Sequence, residues 1–279
     1  MALRITTLSE NSVAVPDVIA EWGFSVFVEI DGLTLLLDTG AGNSAVHNAG
    51  MLGIDLKKVE RIILSHGHYD HTGGLQNVLR AMRKKTEIIA HPEIWAEKYS
   101  RQTDGAYRYV GIPFQRQVLE SLGASFTLSK EPVRFTDTVL TTGEVPEITE
   151  YEQIEPGRFW VKDEGEMKPD PLADDLALII NTKPGLVVIL GCGHRGLINT
   201  LRQAQKLTRR QEIRLAIGGY HLIGATEERT WMTINALKDM DVQSIGVSHC
   251  TGLPSAAVMA RELGGRFFFN NAGTRLNLE

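Results

Sequence analysis

The chain has 279 residues, of which 43% are hydrophobic and 23% are charged, and its formal net charge is −5. This composition is typical of a soluble globular protein. No basic stretch is long enough to follow a phosphate backbone, so we do not expect nucleic acid as a partner. The two cysteines, Cys192 and Cys250, are too few for a disulfide framework, and we expect them to be reduced in a cytosol-like compartment.

The length and hydropathy of the chain indicate one cytoplasmic domain. A chain of this size can bury a large core without disulfide or metal staples, so a bound metal would serve chemistry. Residues 1–16 contain no apolar core of signal-peptide length, and no run approaches the roughly 18 apolar residues of a membrane span. We therefore predict a single domain over residues 1–279 with no membrane partner. The sequence does not indicate an oligomeric state.

The first half of the chain predicts a hairpin followed by alternating helices and strands. Residues 23–40 contain two β-rich runs on either side of Asp31-Gly32, which is a strong two-residue turn signal. The second run is continuously apolar, as expected of a strand that is buried on both faces. The further predicted elements are a helix and turn at 43–56, a strand at 59–65, an amphipathic helix at 75–85, and a strand leading into a helix at 86–95.

The middle of the chain, from about 93 to 175, shows the weakest order. Aromatic, acidic, proline and glycine residues mix there, and strand-like pieces are short. Long irregular segments of compact domains are often lids or binding loops, so we predict a lid-like segment, with a simple surface excursion as the alternative. Its aromatic residues either stack on a flat ligand ring or form a small core of their own; they are Tyr107, Tyr109, Phe114 and Trp160.

The second half repeats the pattern of the first. A hairpin is predicted at 176–194, and helices and strands alternate after it. The predicted helices are 196–207, 228–240 and 254–264, and the predicted strands are 213–222, 242–252 and 266–270. Both halves place histidines just past the ends of strands, which suggests two similar α/β layers that face each other.

The stretch SHGHYDHTGG, residues 65–74, follows a predicted buried strand and carries His66, His68, Asp70 and His71. Neutral imidazole and carboxylate are ligands that zinc and similar metals prefer. In an extended loop, His66 and His68 alternate and point the same way, whereas Asp70 and His71 follow the bend. One loop can therefore supply ligands to two metal ions. The alternative is that these are surface histidines that bind no metal.

This stretch resembles the signature of the metallo-β-lactamase superfamily, and LLLDTG at 35–40 resembles the turn that precedes that signature. The similarity extends over nearly the whole chain. It implies the α/β fold of that superfamily, a four-layer αββα sandwich of two similar halves. The segments GCGHRGLINTL, GGYHL and SHCTG resemble a subgroup of 7,8-dihydropterin-6-methyl-4-(β-D-ribofuranosyl)aminobenzene-5'-phosphate synthases.

The resemblance implies two divalent metal ions. Zinc is the expected metal, and manganese and iron are alternatives. His66 and His68 match ligands of the first ion, and Asp70 and His71 match ligands of the second. His249 matches the last histidine of the second half.

The second-half ligands include one open choice. Cys192 stands at the position of the bridging residue, while His194 is the alternative ligand, which we prefer because no histidine occupies the usual middle position. Asp170 or Asp174 could partly replace that missing histidine.

The implied activity is that of a metal-dependent hydrolase or transferase acting on a small anionic, phosphorylated substrate. Two metal ions make a nucleophile available from water at pH 7 and polarise a phosphoryl or carbonyl oxygen. Asp70 would orient the nucleophile, and His221 or His194 would protonate a leaving group. Asp38 would orient the site rather than bind metal. In the synthase reaction the metals would instead bind the departing pyrophosphate.

Two other classes of function are compatible with these motifs. A non-catalytic metal-binding or sensor protein would account for the missing middle histidine. A diiron oxidoreductase uses a similar fold with more carboxylate ligands and would show bound iron with an optical absorption band.

Overall fold

The structure, a computed structural model, describes residues 2–154 and 157–279. Over these residues the strands are β1 (Leu3–Ser9), β2 (Ser25–Ile30), β3 (Leu33–Leu37), β4 (Arg61–Ile63), β5 (Thr86–Ala90), β6 (Glu97–Arg101), β7 (Tyr107–Tyr109), β8 (Ala124–Leu128), β9 (Val139–Thr141), β10 (Phe159–Asp163), β11 (Glu166–Pro169), β12 (Ala177–Thr182), β13 (Gly185–Leu190), β14 (Ile213–Gly219), β15 (Ile245–Ser248), β16 (Phe267–Phe269) and β17 (Arg275–Leu278). The α-helices are α1 (Ser44–Met51), α2 (Tyr69–Thr72), α3 (Leu75–Met82), α4 (Arg116–Ser121), α5 (Leu197–Thr208), α6 (Glu227–Asp239) and α7 (Leu253–Leu263). Among the described residues, no helix combines the length and the apolarity that a bilayer crossing requires.

The described residues group into two compact units. The first contains residues 2–130, 154, 157–174 and 272–279, and the second contains 131–153 and 175–271. Each unit has its own apolar core. The assignment of residues 1–279 to a single domain stays a prediction.

The main sheet of the first unit has seven strands in the order β17-β1-β2-β3-β4-β5-β8. The predicted hairpin is β2 and β3, and its turn is confirmed because Asp31 and Gly32 both have positive φ, 46° and 89°. From β3 to β8 the strands are parallel. Helices α1 and α3 bury their apolar faces against this sheet; the helix residues involved are Ala45, Ala49, Leu75, Val78, Leu79 and Met82.

The segment from 93 to 175, where the sequence shows least order, holds a second sheet of the first unit. Its four strands lie in the order β11-β10-β6-β7 and are antiparallel. These strands are short and rich in charged residues, so the binary pattern did not reveal them. The lid role of this segment stays a prediction.

The sheet of the second unit has six strands in the order β16-β15-β14-β13-β12-β9. Strands β9, β12 and β13 are antiparallel, and β13 to β16 are parallel. The first sheet has the same order, with antiparallel strands followed by parallel ones. Helices α5, α6 and α7 pack on it through apolar residues such as Leu201, Ile234 and Met259. The two similar halves predicted from the sequence are therefore present.

Each sheet brings the carboxyl ends of neighbouring parallel strands to one edge, where α/β proteins commonly place polar sites. In the first unit, Asp38 follows β3 and His66 follows β4. In the second unit, Cys192 and His194 follow β13, His221 follows β14, and His249 follows β15. The topology within each unit therefore gathers its own predicted ligands.

Three details of the fold differ from the predictions. Strands β1 and β17, which pair with each other at the edge of the first sheet, were not predicted. Residues Pro92–Trp95 form a 3₁₀ turn rather than an α-helix. Strand β16 is an edge of its sheet, as its sequence suggested, but β17 is the last strand of the chain.

Candidate metal centre

The loop after β4 holds the four predicted ligands of the first unit. His66 and His68 lie in the loop itself, and the short helix α2 carries Asp70 and His71. All four side chains are buried, with exposed fractions from 0% to 8%. Imidazole and carboxylate groups need polar partners or a metal when they are removed from water, so this loop is a polar site rather than part of the apolar core.

His71 is oriented by Asp38. The His71 Nδ1 atom lies 2.7 Å from Oδ2 of Asp38, and both side chains are fully buried. Because a carboxylate only accepts hydrogen bonds, Nδ1 carries the hydrogen and Nε2 is the basic nitrogen that a metal can bind. Asp38 also accepts hydrogen bonds from the Ser65 backbone N–H and from the Ser65 hydroxyl, each at 2.7 Å. This agrees with the predicted orienting role of Asp38.

The same network fixes His66. The Ser65 hydroxyl gives its hydrogen to Asp38, so the His66 Nδ1–H donates to Ser65 Oγ, 2.9 Å away. Nε2 of His66 is then a basic nitrogen, and it lies 3.0 Å from Nδ1 of His68. Two nitrogens bound to one tetrahedral zinc ion lie about 3.3 Å apart, since each Zn–N bond is roughly 2.0–2.1 Å. The spacing of these two nitrogens therefore fits one shared metal ion.

The three imidazole rings form a compact cluster within the first unit. The centroid of His66 lies 4.6 Å from that of His68 and 4.2 Å from that of His71. The ring of His68 stacks on Phe159 with centroids 5.3 Å apart. Burial lowers the pKa of His68 to about 4, against the opposing effect of the Asp70 charge. His68 is therefore neutral near pH 7, which is the form that binds metals.

Asp70 lies at the start of α2, where its position is fixed from both sides. The indole Nε1–H of Trp22 donates to Asp70 Oδ2 at 3.1 Å, and the Asp70 carbonyl accepts from the backbone N–H of Phe24 at 3.2 Å. Trp22 was not identified from the sequence, because a single tryptophan 48 positions away carries no pattern that links it to the loop.

Asp170 and Asp174, suggested as substitutes for the missing histidine, belong to a buried cluster of charged residues. Both form ion pairs with the buried Lys98 amino group, at 2.8 Å and 2.9 Å. Their remaining oxygens accept backbone hydrogen bonds, Asp170 from Leu172 and Asp174 from Gly67, each at 2.8 Å. All four carboxylate oxygens therefore already have donors.

The loop after β13 holds Cys192 and His194 in the second unit, and both residues are buried. The following residue, Arg195, anchors this loop: its backbone N–H donates to Asp175 Oδ2 at 2.9 Å, and its side chain pairs with Glu147 at 3.0 Å. The ring of His194 lies 4.2 Å from the ring of His221, centroid to centroid. The structure thus brings these two predicted site residues together.

His221 and His249 both adopt left-handed backbone conformations at the ends of their strands, with φ of 42° and 50°. Such conformations are uncommon for non-glycine residues and cluster at functional sites. His221 is partly exposed, and His249 is buried at the start of a 3₁₀ turn. Cys250 donates to the Cys192 carbonyl at 3.4 Å and is buried, which agrees with the packing role expected for it.

Several of these residues offer donor atoms that suit a metal ion. In the first unit they include His66 and His71, and in the second unit they include Cys192, His194 and His249. Neutral imidazole and thiolate are ligands of zinc and related metals. The donor chemistry of each unit therefore fits metal binding.

The aromatic residues proposed to stack on a ligand lie elsewhere. Phe159 faces His68, so its strand neighbour Trp160 points to the opposite face of the sheet. Tyr99 pairs with both Trp160 and Tyr109 in the sheet register, which places them on that opposite face, and Tyr107 contacts the Trp160 ring. Phe114 packs against the core of the first unit. These residues do not line the loop that carries His66, His68, Asp70 and His71, which we call the histidine loop.

Comparisons with known proteins found relatives of this chain in sequence and in fold. A family model described as the metallo-beta-lactamase superfamily matches residues 23–197. The 7,8-dihydropterin-6-methyl-4-(β-D-ribofuranosyl)-aminobenzene-5'-phosphate synthase of Methanocaldococcus jannaschii is 32% identical over 246 residues, which span 86% of this chain and 83% of the relative.

Solved structures show the same fold. The structure of Tm1679, described as a metal-dependent hydrolase of the β-lactamase superfamily, is 28% identical with a TM-score of 0.86, and the match covers 99% of both chains. The metallo-β-lactamase fold protein YhfI from Bacillus subtilis is 12% identical with a TM-score of 0.61 and 99% coverage of both chains, a likeness of fold alone. The predicted α/β sandwich fold and the resemblance noted in the sequence are therefore confirmed.

Proposed function

We propose that this chain, which belongs to the metallo-β-lactamase superfamily, is a metal-dependent enzyme that acts on a small anionic, phosphorylated substrate. The observation that carries the proposal is the orientation of His71 and His66 by Asp38 and Ser65. In both rings the Nδ1 atom is engaged in that network, so the basic nitrogen is Nε2. Histidines held in this way are characteristic of metal ligands.

We further propose two divalent metal ions, with zinc as the resident metal. The ligands in the first unit would be His66 and His68 for one ion and Asp70 and His71 for the other, and those in the second unit would be His194 and His249. Cys192 would contribute its thiolate to the second-unit donors. The mixture of imidazole, carboxylate and thiolate favours zinc, and manganese or iron are alternatives that the donor set also accepts.

The proposed chemistry divides between the metals and the protein. When bound, the metals would neutralise negative charge on a phosphate or pyrophosphate group of the substrate. Asp70, fixed by Trp22, would orient the attacking group, and the partly exposed His221 would carry a proton. His194, whose ring contacts that of His221, is the alternative proton carrier. Asp38 would keep the imidazoles in the binding tautomer.

The reaction we favour is the one named for the Methanocaldococcus relative. In it, the aryl amine of a ribofuranosylaminobenzene phosphate would attack the 6-methylene carbon of a dihydropterin pyrophosphate ester. A C–N bond forms, the C–O bond to pyrophosphate breaks, pyrophosphate leaves with the bonding electron pair, and the amine loses one proton. Identity of 32% across most of both chains supports this choice over other superfamily reactions.

The test begins with metal content per chain, measured by elemental analysis of protein purified without a chelating tag. The loaded protein is then incubated with the dihydropterin pyrophosphate and the ribofuranosylaminobenzene phosphate, and the coupled product and free pyrophosphate are measured by mass spectrometry. Two metal ions per chain and formation of the coupled product are the expected results.

Other results would select another function. Release of pyrophosphate or phosphate without coupling would indicate a hydrolase. Iron with an optical absorption band would indicate a diiron oxidoreductase. Full metal loading without turnover of any phosphoester would indicate a binding or sensor protein. At most one metal ion per chain after reconstitution would overturn the two-metal proposal.

A further inference from the structure

A buried cluster of three charged residues lies beside the histidine loop of the first unit. Lys98 is only 1% exposed and pairs with Asp170 at 2.8 Å and with Asp174 at 2.9 Å, and both aspartates are also buried. Lysine is almost never buried unless it is paired. Buried ion pairs often add no stability over well-packed apolar side chains, so stability alone is a weak explanation for this cluster.

The two aspartates differ in what they hold besides Lys98. Asp174 Oδ2 accepts the backbone N–H of Gly67, 2.8 Å away, and Gly67 is the residue between His66 and His68. Asp170 Oδ1 instead accepts the backbone N–H of Leu172, also at 2.8 Å. Asp174 therefore contacts the histidine loop directly, whereas Asp170 stabilises its own turn.

Gly67 is closely surrounded at this point. A Cβ atom on it would lie 2.7 Å from the Ile94 carbonyl oxygen, 3.2 Å from Lys98 Cε and 3.3 Å from Asp174 Oδ2. The first of these distances is too short for any real side chain, so only glycine fits here. The peptide between the two histidines is therefore held by a hydrogen bond on one side and by tight packing around its Cα.

We propose that Asp174, itself fixed by Lys98, is a positioning residue that sets the direction of His66 and His68 through the Gly67 amide; the proposal rests on the metal-binding function proposed above. The spacing of 3.0 Å between His66 Nε2 and His68 Nδ1 depends on the rotation of the intervening peptide. The hydrogen bond from Gly67 to Asp174 fixes that rotation. Groups that orient metal ligands typically contribute 10–100-fold to metal affinity.

The test compares Asp174→Asn with Asp170→Asn in the full-length protein. Each change removes one of the two negative charges that face Lys98. The asparagine keeps a single carbonyl oxygen as an acceptor, whereas the aspartate has two oxygens with separate donors. In both variants an amide N–H₂ must then face either Lys98 or a backbone N–H. The variants differ in which backbone N–H is affected: that of Gly67 or that of Leu172.

The measurements are zinc affinity by chelator competition and thermal unfolding of the metal-free proteins. We expect the zinc Kd to rise at least tenfold in D174N and to change less than about threefold in D170N, at similar losses of thermal stability. Equal weakening of zinc binding in both variants would overturn the positioning role and assign the cluster to the fold alone. A wild-type protein that binds no metal would instead refute the proposed function.

A third variant keeps the test decisive if D174N does not fold. In K98M/D170N/D174N the lysine donor is gone, so each asparagine oxygen can accept its backbone N–H without conflict. If the Gly67 hydrogen bond is what matters, this neutral variant binds zinc within about threefold of the wild type. A tenfold or larger loss in the folded triple variant would mean that the hydrogen bond does not position the histidines.

Discussion

The His71 Nδ1 atom lies 2.7 Å from Oδ2 of Asp38, and neither side chain is exposed to solvent. Asp38 reaches this position through a left-handed backbone with φ of 57° immediately after β3. The same carboxylate accepts two hydrogen bonds from Ser65, so three donors converge on it. A residue in this position determines which histidine nitrogen is available before any metal binds.

Asp38→Asn tests that role. Asparagine tolerates the left-handed backbone but offers one carbonyl oxygen to three donors. We expect metal affinity to fall about 10–100-fold, and the unfolding free energy of the metal-free protein to fall by about 1–3 kcal/mol for the donor left unsatisfied. Isothermal titration and urea unfolding measure the two effects. Asp31→Asn, at an exposed left-handed turn, is the matched control; a D38N protein with the affinity of this control would contradict the role.

The histidine loop could be predicted from the sequence because its residues are close together in the chain. His66 to His71 span six positions, and a buried strand precedes them. The groups that support the loop are distant in sequence: Asp174 is 76 residues from Lys98 and 107 from Gly67. No local periodicity connects such residues, so the supporting network becomes visible only in the folded chain.

Alanine substitutions of the proposed ligands should lower the metal content. We expect His71→Ala and His194→Ala each to lose about one metal ion per chain, because zinc with fewer than three protein ligands is weakly held. His47→Ala is the control, since His47 is exposed on α1 and lies outside the loop. Elemental analysis after dialysis against a weak chelator gives the ratio of metal to protein. Unchanged metal content in both ligand variants would remove these residues from the proposed ligand set.

Trp22→Phe should reduce turnover without removing metal. The change keeps an aromatic ring but deletes the N–H that donates to Asp70 at 3.1 Å. A hydrogen bond to a charged group is worth about 1.5–3 kcal/mol, and the 46% exposure of Trp22 places the effect at the lower end. We expect kcat to fall about tenfold, with KM and metal content near wild type. Trp231→Phe, on α6 in the second unit, controls for the loss of an indole.

The edges of the fold were harder to predict than its centre. The buried strands β3, β4 and β13 consist mainly of apolar residues, so the sequence pattern predicts them directly. Strands β6, β7, β10 and β11 are short and mix charged residues with other types, and β6 pairs with β10 over separations of 59 to 65 residues. Strand β17 adds to β1 across almost the whole chain. Such pairings are decided by tertiary contacts rather than by local propensity.

Asp174 and Asp175 are adjacent in the chain and make equivalent hydrogen bonds in different units. Asp174 accepts the backbone N–H of Gly67 in the histidine loop of the first unit, and Asp175 accepts that of Arg195 next to His194 in the second. In the sequence they are two acidic residues before an apolar strand. Their carboxylates instead fix the backbone beside two sets of predicted ligands.

The buried carboxylate of Glu152, which contacts the first turn of α5, makes the stability of the second unit depend on pH. Glu152 is 2% exposed and accepts the backbone N–H groups of Ile198 and Asn199 at 2.8 Å and 2.9 Å. Burial raises the pKa of Glu152 above its ordinary value, although these hydrogen bonds lower it in part. A raised pKa in the folded state means that ionisation costs more in the folded protein than in the unfolded chain.

Glu152→Gln removes that ionisation while keeping the shape of the side chain. As the pH rises from about 4 through the folded-state pKa, the wild type loses the stability associated with the protonated carboxyl, and the variant does not. The unfolding free energy of E152Q minus that of the wild type should therefore become more positive between pH 4 and pH 7. Urea unfolding at both pH values, with chelator present, measures this difference. Glu150→Gln, at an exposed neighbouring position, is the control for the loss of a carboxylate, and a difference for E152Q that falls with rising pH would refute the raised pKa.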